Sequence, residues 1–318
     1  MNEKTSKQTF SALGLILFTF LVVGSGLQIA LGLISRHIFG SSATPDYMFW
    51  IVSFVPLYCV AFPLTCVLMK RIPKEELKDT THLSVGKWFY FLTIAFFVMV
   101  VGNIIGSVIG VVFKNFGINT GVAIETLTTN TAPIGSVVLA LLAPIFEEMI
   151  FRKFLIDRMH RFGGHVAIMT SALMFGLFHG NFAQFFYAWF LGIVFGYVYY
   201  KTGNVIYTML MHMTINFLGG VVAPRILSGI DLTSKDPVAM VSSPSFIWLL
   251  VYEAFMYTMA IAGAVFFFTG KKKISFTEES AQLPKEDEKK VWCNPGMILF
   301  VLGCLAMFVY SLVIGFNA

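Results

Sequence analysis

Long apolar stretches broken by short polar segments dominate this chain. The runs from Leu15 to Ile34 and from Trp88 to Phe113 are nearly free of charge. Each is longer than a core helix usually needs and long enough to cross the roughly 30 Å hydrocarbon layer of a bilayer. The strand-period alternation of a transmembrane barrel is absent. The pattern predicts helices over Phe10–Ile34, Tyr47–Met69, Lys87–Phe113, Thr131–Arg152, His165–His179, Gln184–Tyr200, Asn204–Gly220, Ser245–Thr269 and Gly296–Ile314. The expected fold class is therefore all-α, a polytopic transmembrane helix bundle of eight to nine spans.

Composition agrees, since the chain is 57% hydrophobic with only 12% charged residues, about half the usual charged share. An ordinary soluble globular protein is excluded. The net charge of +5 does not point to nucleic acid, because in a membrane protein the placement of Lys and Arg among the loops carries the information. With the N-terminus inside, only Arg36, Lys114, Arg225 and Lys235 of the 22 Lys and Arg residues fall on the outer side. The expectation is a multi-pass protein of the cell membrane with its N-terminus cytoplasmic and its C-terminus outside. The first apolar run lacks a convincing cleavage site before Arg36 and reads as a retained helix.

Domain organisation follows the polar breaks. Residues 1–130 are N-terminal membrane helices, 131–220 carry the chemistry-bearing helices, and 221–270 add a further core helix. Residues 271–294 form a charged cytoplasmic linker, and 295–318 hold the last span. Cys59, Cys66, Cys293 and Cys304 match neither a disulfide framework nor a zinc-site spacing and read as packing residues.

A charge at the bilayer centre costs roughly 2.5–3.5 kcal/mol on insertion scales, so an ionisable residue inside a span calls for a partner or a function. Several gather between Ala143 and Gly220. At about 100° per residue, Glu147 and Glu148 point in different directions, while Glu148 and Arg152 share a face at i, i+4. Glu148 can thus be neutralised within its own helix, which leaves Glu147 free to face something else. Phe175 and His179 lie one turn apart, as do His212 and Asn216. Taken singly, each pair is compatible with ordinary polar packing.

Together, a carboxylate, two imidazoles and an amide on separate apolar helices suit amide hydrolysis in an intramembrane cavity. The carboxylate can deprotonate water, a His can orient that water or protonate the leaving amine, and His with Asn can hydrogen-bond the oxyanion. The alternative use of the same residues is as zinc ligands, with Glu147, His179 and His212 as the set and water in the fourth position. Glu253, inside the eighth span with no basic residue nearby in sequence, is a candidate cavity residue.

The ordered set Glu147-Glu148-x-x-x-Arg152, Phe175-x-x-x-His179 and His212-x-x-x-Asn216 resembles the motifs of the CAAX-protease and bacteriocin-processing family of intramembrane proteases, which includes the Ras and a-factor converting enzyme. The resemblance covers roughly residues 131–220. It implies an intramembrane endopeptidase acting on membrane-associated peptides or lipidated proteins, in contact with membrane lipid and without nucleic acid. It also implies that Glu147 activates water beside His179, that His212 and Asn216 hold the oxyanion, and that Glu148 and Arg152 shape and neutralise the site. It favours a glutamate mechanism with no cofactor, zinc being the alternative. Two other classes fit the residues, a non-proteolytic immunity or scaffold protein of the same fold and a proton-coupled transporter using Glu147, His179 and Glu253.

Overall fold

The structure is a computed structural model that describes residues 5–40, 45–77, 80–122, 125, 133–230, 238, 241–270 and 285–316. Among these residues all regular structure is helical, without strands. The helices are α1 (Ser6–Phe39), α2 (Tyr47–Met69), α3 (Val85–Lys114), α4 (133–159), α5 (Gly164–Phe178), α6 (Phe182–Thr202), α7 (Val205–Leu227), α8 (Pro244–Thr269), α9 (Lys285–Trp292) and α10 (Pro295–Phe316). Seven of them, α1, α2, α3, α6, α7, α8 and α10, are long and apolar enough to cross a membrane.

Two of the nine expected spans, α4 and α5, fall outside that group, and they carry the first two motifs. Helix α4 holds Glu147, Glu148, Arg152, Lys153, Asp157 and Arg158 within a few turns. Helix α5 has 15 residues, about 22 Å at 1.5 Å per residue and short of a full crossing. The turn after it therefore stays inside the bundle, with Gly180 at φ 63° packed against Met307, well within α10. The expected charged linker is helical from Lys285, and its residues 271–284 lie outside the described set.

Helix starts follow local chemistry. Thr5 and Gln8 form a reciprocal cap on α1, and the side chains of Ser84, Asn181, Asn204 and Ser243 accept backbone N–H groups at the starts of α3, α6, α7 and α8. Inside the rods, π-helical turns at Pro56–Ala61, Val138–Leu142 and Leu218–Val222 each precede a proline, at Pro63, Pro144 and Pro224. A proline gives no N–H and its ring collides with the carbonyl four residues back, so the turn ahead of it widens. A fourth such turn, Met149–Phe154, has no proline and contains Arg152.

One end of the bundle is stitched by charge. Arg158 donates to the Met69 carbonyl (2.7 Å from Nη2), the Glu75 N–H to the Asp157 carbonyl (2.9 Å), and the Tyr199 hydroxyl to Asp157 (2.5 Å). Arg161 joins the start of α1 through Thr9, and Lys153 pairs with Asp157 at 3.1 Å. Elsewhere the rods meet through small residues, with Gly102 of α3 against the backbone of Tyr187 and Gly263 of α8 against Thr93.

The closest such approach lies between α1 and α10. A Cβ on Gly296 would stand 1.7 Å from the Ser11 carbonyl oxygen and 2.9 Å from the Leu15 nitrogen, both backbone atoms that cannot yield. Gly296→Val is expected to cost more than the roughly 1–3 kcal/mol of ordinary overpacking and to lower the thermal midpoint in detergent sharply. A melting curve that overlays the wild type would show that α1 and α10 do not pack this closely.

Candidate active site

The first motif sits in α4 where a six-residue α-helical segment, Ala143–Glu148, runs between two π turns. Glu148 is fully buried, with Thr208 beside it and two charged or ionisable partners. Its Oε2 lies 3.0 Å from Arg152 Nε, an ion pair rather than an aligned hydrogen bond, and its Oε1 lies 3.0 Å from His212 Nδ1. Arg152 is also fully buried, with its guanidinium 4.4 Å from the centre of the Phe175 ring and 5.5 Å from that of Phe195. The guanidinium carbon lies over both aromatic faces. The same two rings flank His212, at 5.7 and 5.6 Å between centroids.

Glu147 points away from this pair. Its side chain is 19% exposed, and Oε2 stands 3.6 Å from His212 Nε2, too long for a hydrogen bond and short enough for a strong electrostatic coupling. His212 thus faces a carboxylate on each ring nitrogen. A neutral imidazole donates from one nitrogen only. In that form Nδ1 gives its proton to Glu148, and Nε2 is the nitrogen that faces Glu147.

His179 ends α5. Its Nδ1 lies 2.8 Å from the Phe175 carbonyl, and its ring is edge-on to Phe175 at 4.9 Å. Nδ1 therefore carries the proton, and Nε2 is the nitrogen open to an acceptor role. Phe175 is the piece that touches both imidazoles and Arg152.

Asn216 donates from Nδ2 to the Leu139 carbonyl at 3.0 Å. In the π register of Val138–Leu142 that carbonyl would look five residues on, to Pro144, which has no N–H. The amide thus satisfies a carbonyl that proline leaves bare, and it ties α7 to α4.

The three motifs assemble around one point, and it is here that comparison with other proteins bears. Residues 129–218 match a family model. The family is Type II CAAX prenyl endopeptidase Rce1-like. The matched segment holds every motif residue. The chain is also similar to YdiL of Bacillus subtilis (strain 168), named for a proposed membrane peptidase activity, with 23% identity over 215 residues, covering 63% of this chain and 84% of that protein. No solved structure matches the chain. These matches bear out the resemblance read from the motifs, and they support a membrane peptidase.

Among the described residues no three His, Cys, Asp or Glu side chains are grouped as metal ligands. His179 turns Nδ1 to a backbone carbonyl and His212 turns Nδ1 to Glu148, which leaves the Nε2 of each ring as the nitrogen available to a ligand. Glu253 is not brought to the motif residues either. It lines a separate cavity of about 650 Å³ between α3 and α8, with Asn103, Ser107, Tyr252 and Tyr257.

Other neighbours were not evident in the sequence. Tyr58, in the π turn of α2, stacks on Phe146 at 4.4 Å and 15°, continuing a ladder from Trp50 through Phe54. Its spacing, Trp50, Phe54, Tyr58, reads as lipid-facing filler until the partner ring is seen. Phe195 of α6, which covers Arg152 and His212, belongs to no motif. Asn181, Gln184 and Tyr187 form a hydrogen-bonded row from the turn after His179.

Proposed function

We propose that this protein is an intramembrane endopeptidase that hydrolyses peptide bonds of membrane-associated or lipidated proteins, with Glu147 as the residue that activates water. The observation that carries this reading is the pairing of a partly exposed carboxylate, Glu147, with a His212 imidazole that a buried Glu148 and Arg152 hold in place. The match of the motif segment to a peptidase family supports it.

The chemistry follows from the geometry. A water beside Glu147 attacks the scissile carbonyl carbon as Glu147 takes its proton, so a C–O bond forms and the carbonyl oxygen becomes an oxyanion. His212, bearing a proton that Glu148 stabilises, offsets the developing charge. His179 Nε2, the nitrogen left free by the Phe175 carbonyl, accepts from the attacking water in this reading. Collapse of the intermediate breaks the C–N bond, and the proton held by Glu147 goes to the leaving nitrogen. One carboxylate serves as base and then acid, and no net charge remains in the site. The charge-rich end of the bundle, where Lys70, Lys74, Arg158, Arg161, Lys201 and Lys289 collect, is the cytoplasmic end in this reading.

Product analysis in ¹⁸O-water tests hydrolysis directly. The purified protein is expected to cut a farnesylated fluorogenic C-a-a-X peptide or its unprenylated counterpart at an internal bond and to place a single ¹⁸O in the new carboxylate. Intact peptides, or cleavage without ¹⁸O, would overturn the assignment.

A further inference from the structure

Glu253 and Asn103 are polar groups in the middle of apolar spans, and neither belongs to the active site. Together with Ser107 they face one groove of about 650 Å³ between α3 and α8. Among the described residues none of the three makes a hydrogen bond or an ion pair, and no Lys, Arg or His lines the groove. We propose that the groove docks a transmembrane helix of another protein, one that carries a Lys or Arg at mid-depth. Binding rather than cleavage defines this site, so it stands apart from the protease reading.

The groove opens because α8 changes partners along its length. In its second half, Gly263 packs on the backbone of Thr93 and Gly270 on the Tyr90 hydroxyl, both from α3. Nearer its start, the Tyr252 hydroxyl reaches toward the Leu218 carbonyl of α7 at 3.4 Å, and Ser245 packs against Gly229 just past the end of α7. Over that same stretch α3 stays with α6, through Gly102 and Gly106. The two rods therefore part, and α8 is the least buried of the seven spans. What they leave is a trough lined from Met99 to Val112 of α3, roughly 20 Å at 1.5 Å per residue, with walls such as Ile104, Val108 and Met256.

Depth decides what can fill it. Glu253 lies about 14 Å along α8 from Pro244, and Asn103 about 16 Å along α3 from Lys114. Both thus sit near the middle of the roughly 30 Å hydrocarbon layer, beyond the reach of a lipid headgroup. Acyl chains in the trough would leave a carboxyl, an amide and a hydroxyl unpaired in hydrocarbon, which is costly. A second copy, turned about the membrane normal, would bring the same hollow and the same carboxylate to the same depth. A single convex helix fills the trough, and a basic side chain at that depth has the N–H donors for acceptors on Glu253, Asn103 and Ser107. Intramembrane charges pair in this way where they persist.

The test titrates labelled, Leu-rich single-span peptides against the labelled full chain in phosphatidylcholine liposomes and reads energy transfer, with a melting curve for each protein variant. The peptides differ only at the central position, which is Lys, Leu or Glu. The Lys peptide is expected to bind wild type about tenfold more tightly than the Leu peptide, with the Glu peptide weakest. Glu253→Gln is expected to bring the Lys and Leu peptides within about twofold of each other, and Glu253→Lys to hand the preference to the Glu peptide. A Lys moved two turns toward either end of the peptide is expected to lose its advantage.

Equal binding of the three peptides to wild type would overturn the inference, as would a Lys preference that survives Glu253→Gln. A chain that refuses the Lys peptide and self-associates in a Glu253-dependent way would assign the groove to a second copy and overturn it as well. If Glu253→Gln melts early, the wild-type ratio of Lys to Glu peptide binding decides, and a ratio near one overturns it.

Discussion

Glu148→Ala is expected to abolish turnover and lower the thermal midpoint together. Glu148 is fully buried and is the charge that answers both Arg152 and His212, at 3.0 Å each. Its removal strands a fully buried guanidinium between the faces of Phe175 and Phe195. Breaking a buried pair by deleting one partner costs about 3–5 kcal/mol, whereas replacing both partners with apolar groups costs far less. The double variant Glu148→Ala with Arg152→Leu is thus expected to regain much of the midpoint and none of the activity, since His212 has still lost its anchor. Melting and cleavage of the three proteins in detergent check this. Wild-type melting of Glu148→Ala would show that the pair does not neutralise the site.

Glu147→Gln is expected to separate the two properties. The amide keeps the shape of the side chain, but it cannot take a proton from water. General acid–base catalysis is worth about 10²–10⁴-fold, and here one group performs both proton transfers, so the loss is expected at the upper end. Stability should hold, because Glu147 is 19% exposed and its 3.6 Å approach to His212 is longer than a hydrogen bond. The adjacent carboxylates thus give opposite signatures, Glu148 structural and catalytic, Glu147 catalytic alone. Equal loss of stability in both variants would remove that distinction.

This division between neighbours was legible from the sequence, because 100° per residue sends consecutive side chains to different faces and i, i+4 pairs Glu148 with Arg152. Helix positions were also legible, since most spans are plain apolar runs. The end of α4 was not. The pattern stops it at Arg152, yet the helix continues to Met159 because Arg152 and Asp157 find partners inside the fold and Arg158 reaches a carbonyl. Burial with a partner removes the reason for a charge to end a span.

The contacts that complete the site were hidden for a different reason. Glu148 meets His212 across 64 residues, and Phe195 comes from a helix with no motif at all. Depths along the rods, counted at 1.5 Å per residue, set Glu147 and His212 at different heights. Part of the surplus length of α4 is taken up in the π turns at Val138–Leu142 and Met149–Phe154, whose wider loops rise less per residue. Prolines flag such turns, but Met149–Phe154 has none.

The central claim is that Glu147, rather than a bound metal, activates water for peptide hydrolysis. The most direct measurement compares wild type, exhaustively chelated wild type and Glu147→Gln on one fluorogenic peptide in the same detergent. The account predicts full turnover after chelation and none in the variant. Activity lost on chelation and restored by zinc, or retained in Glu147→Gln, would contradict it.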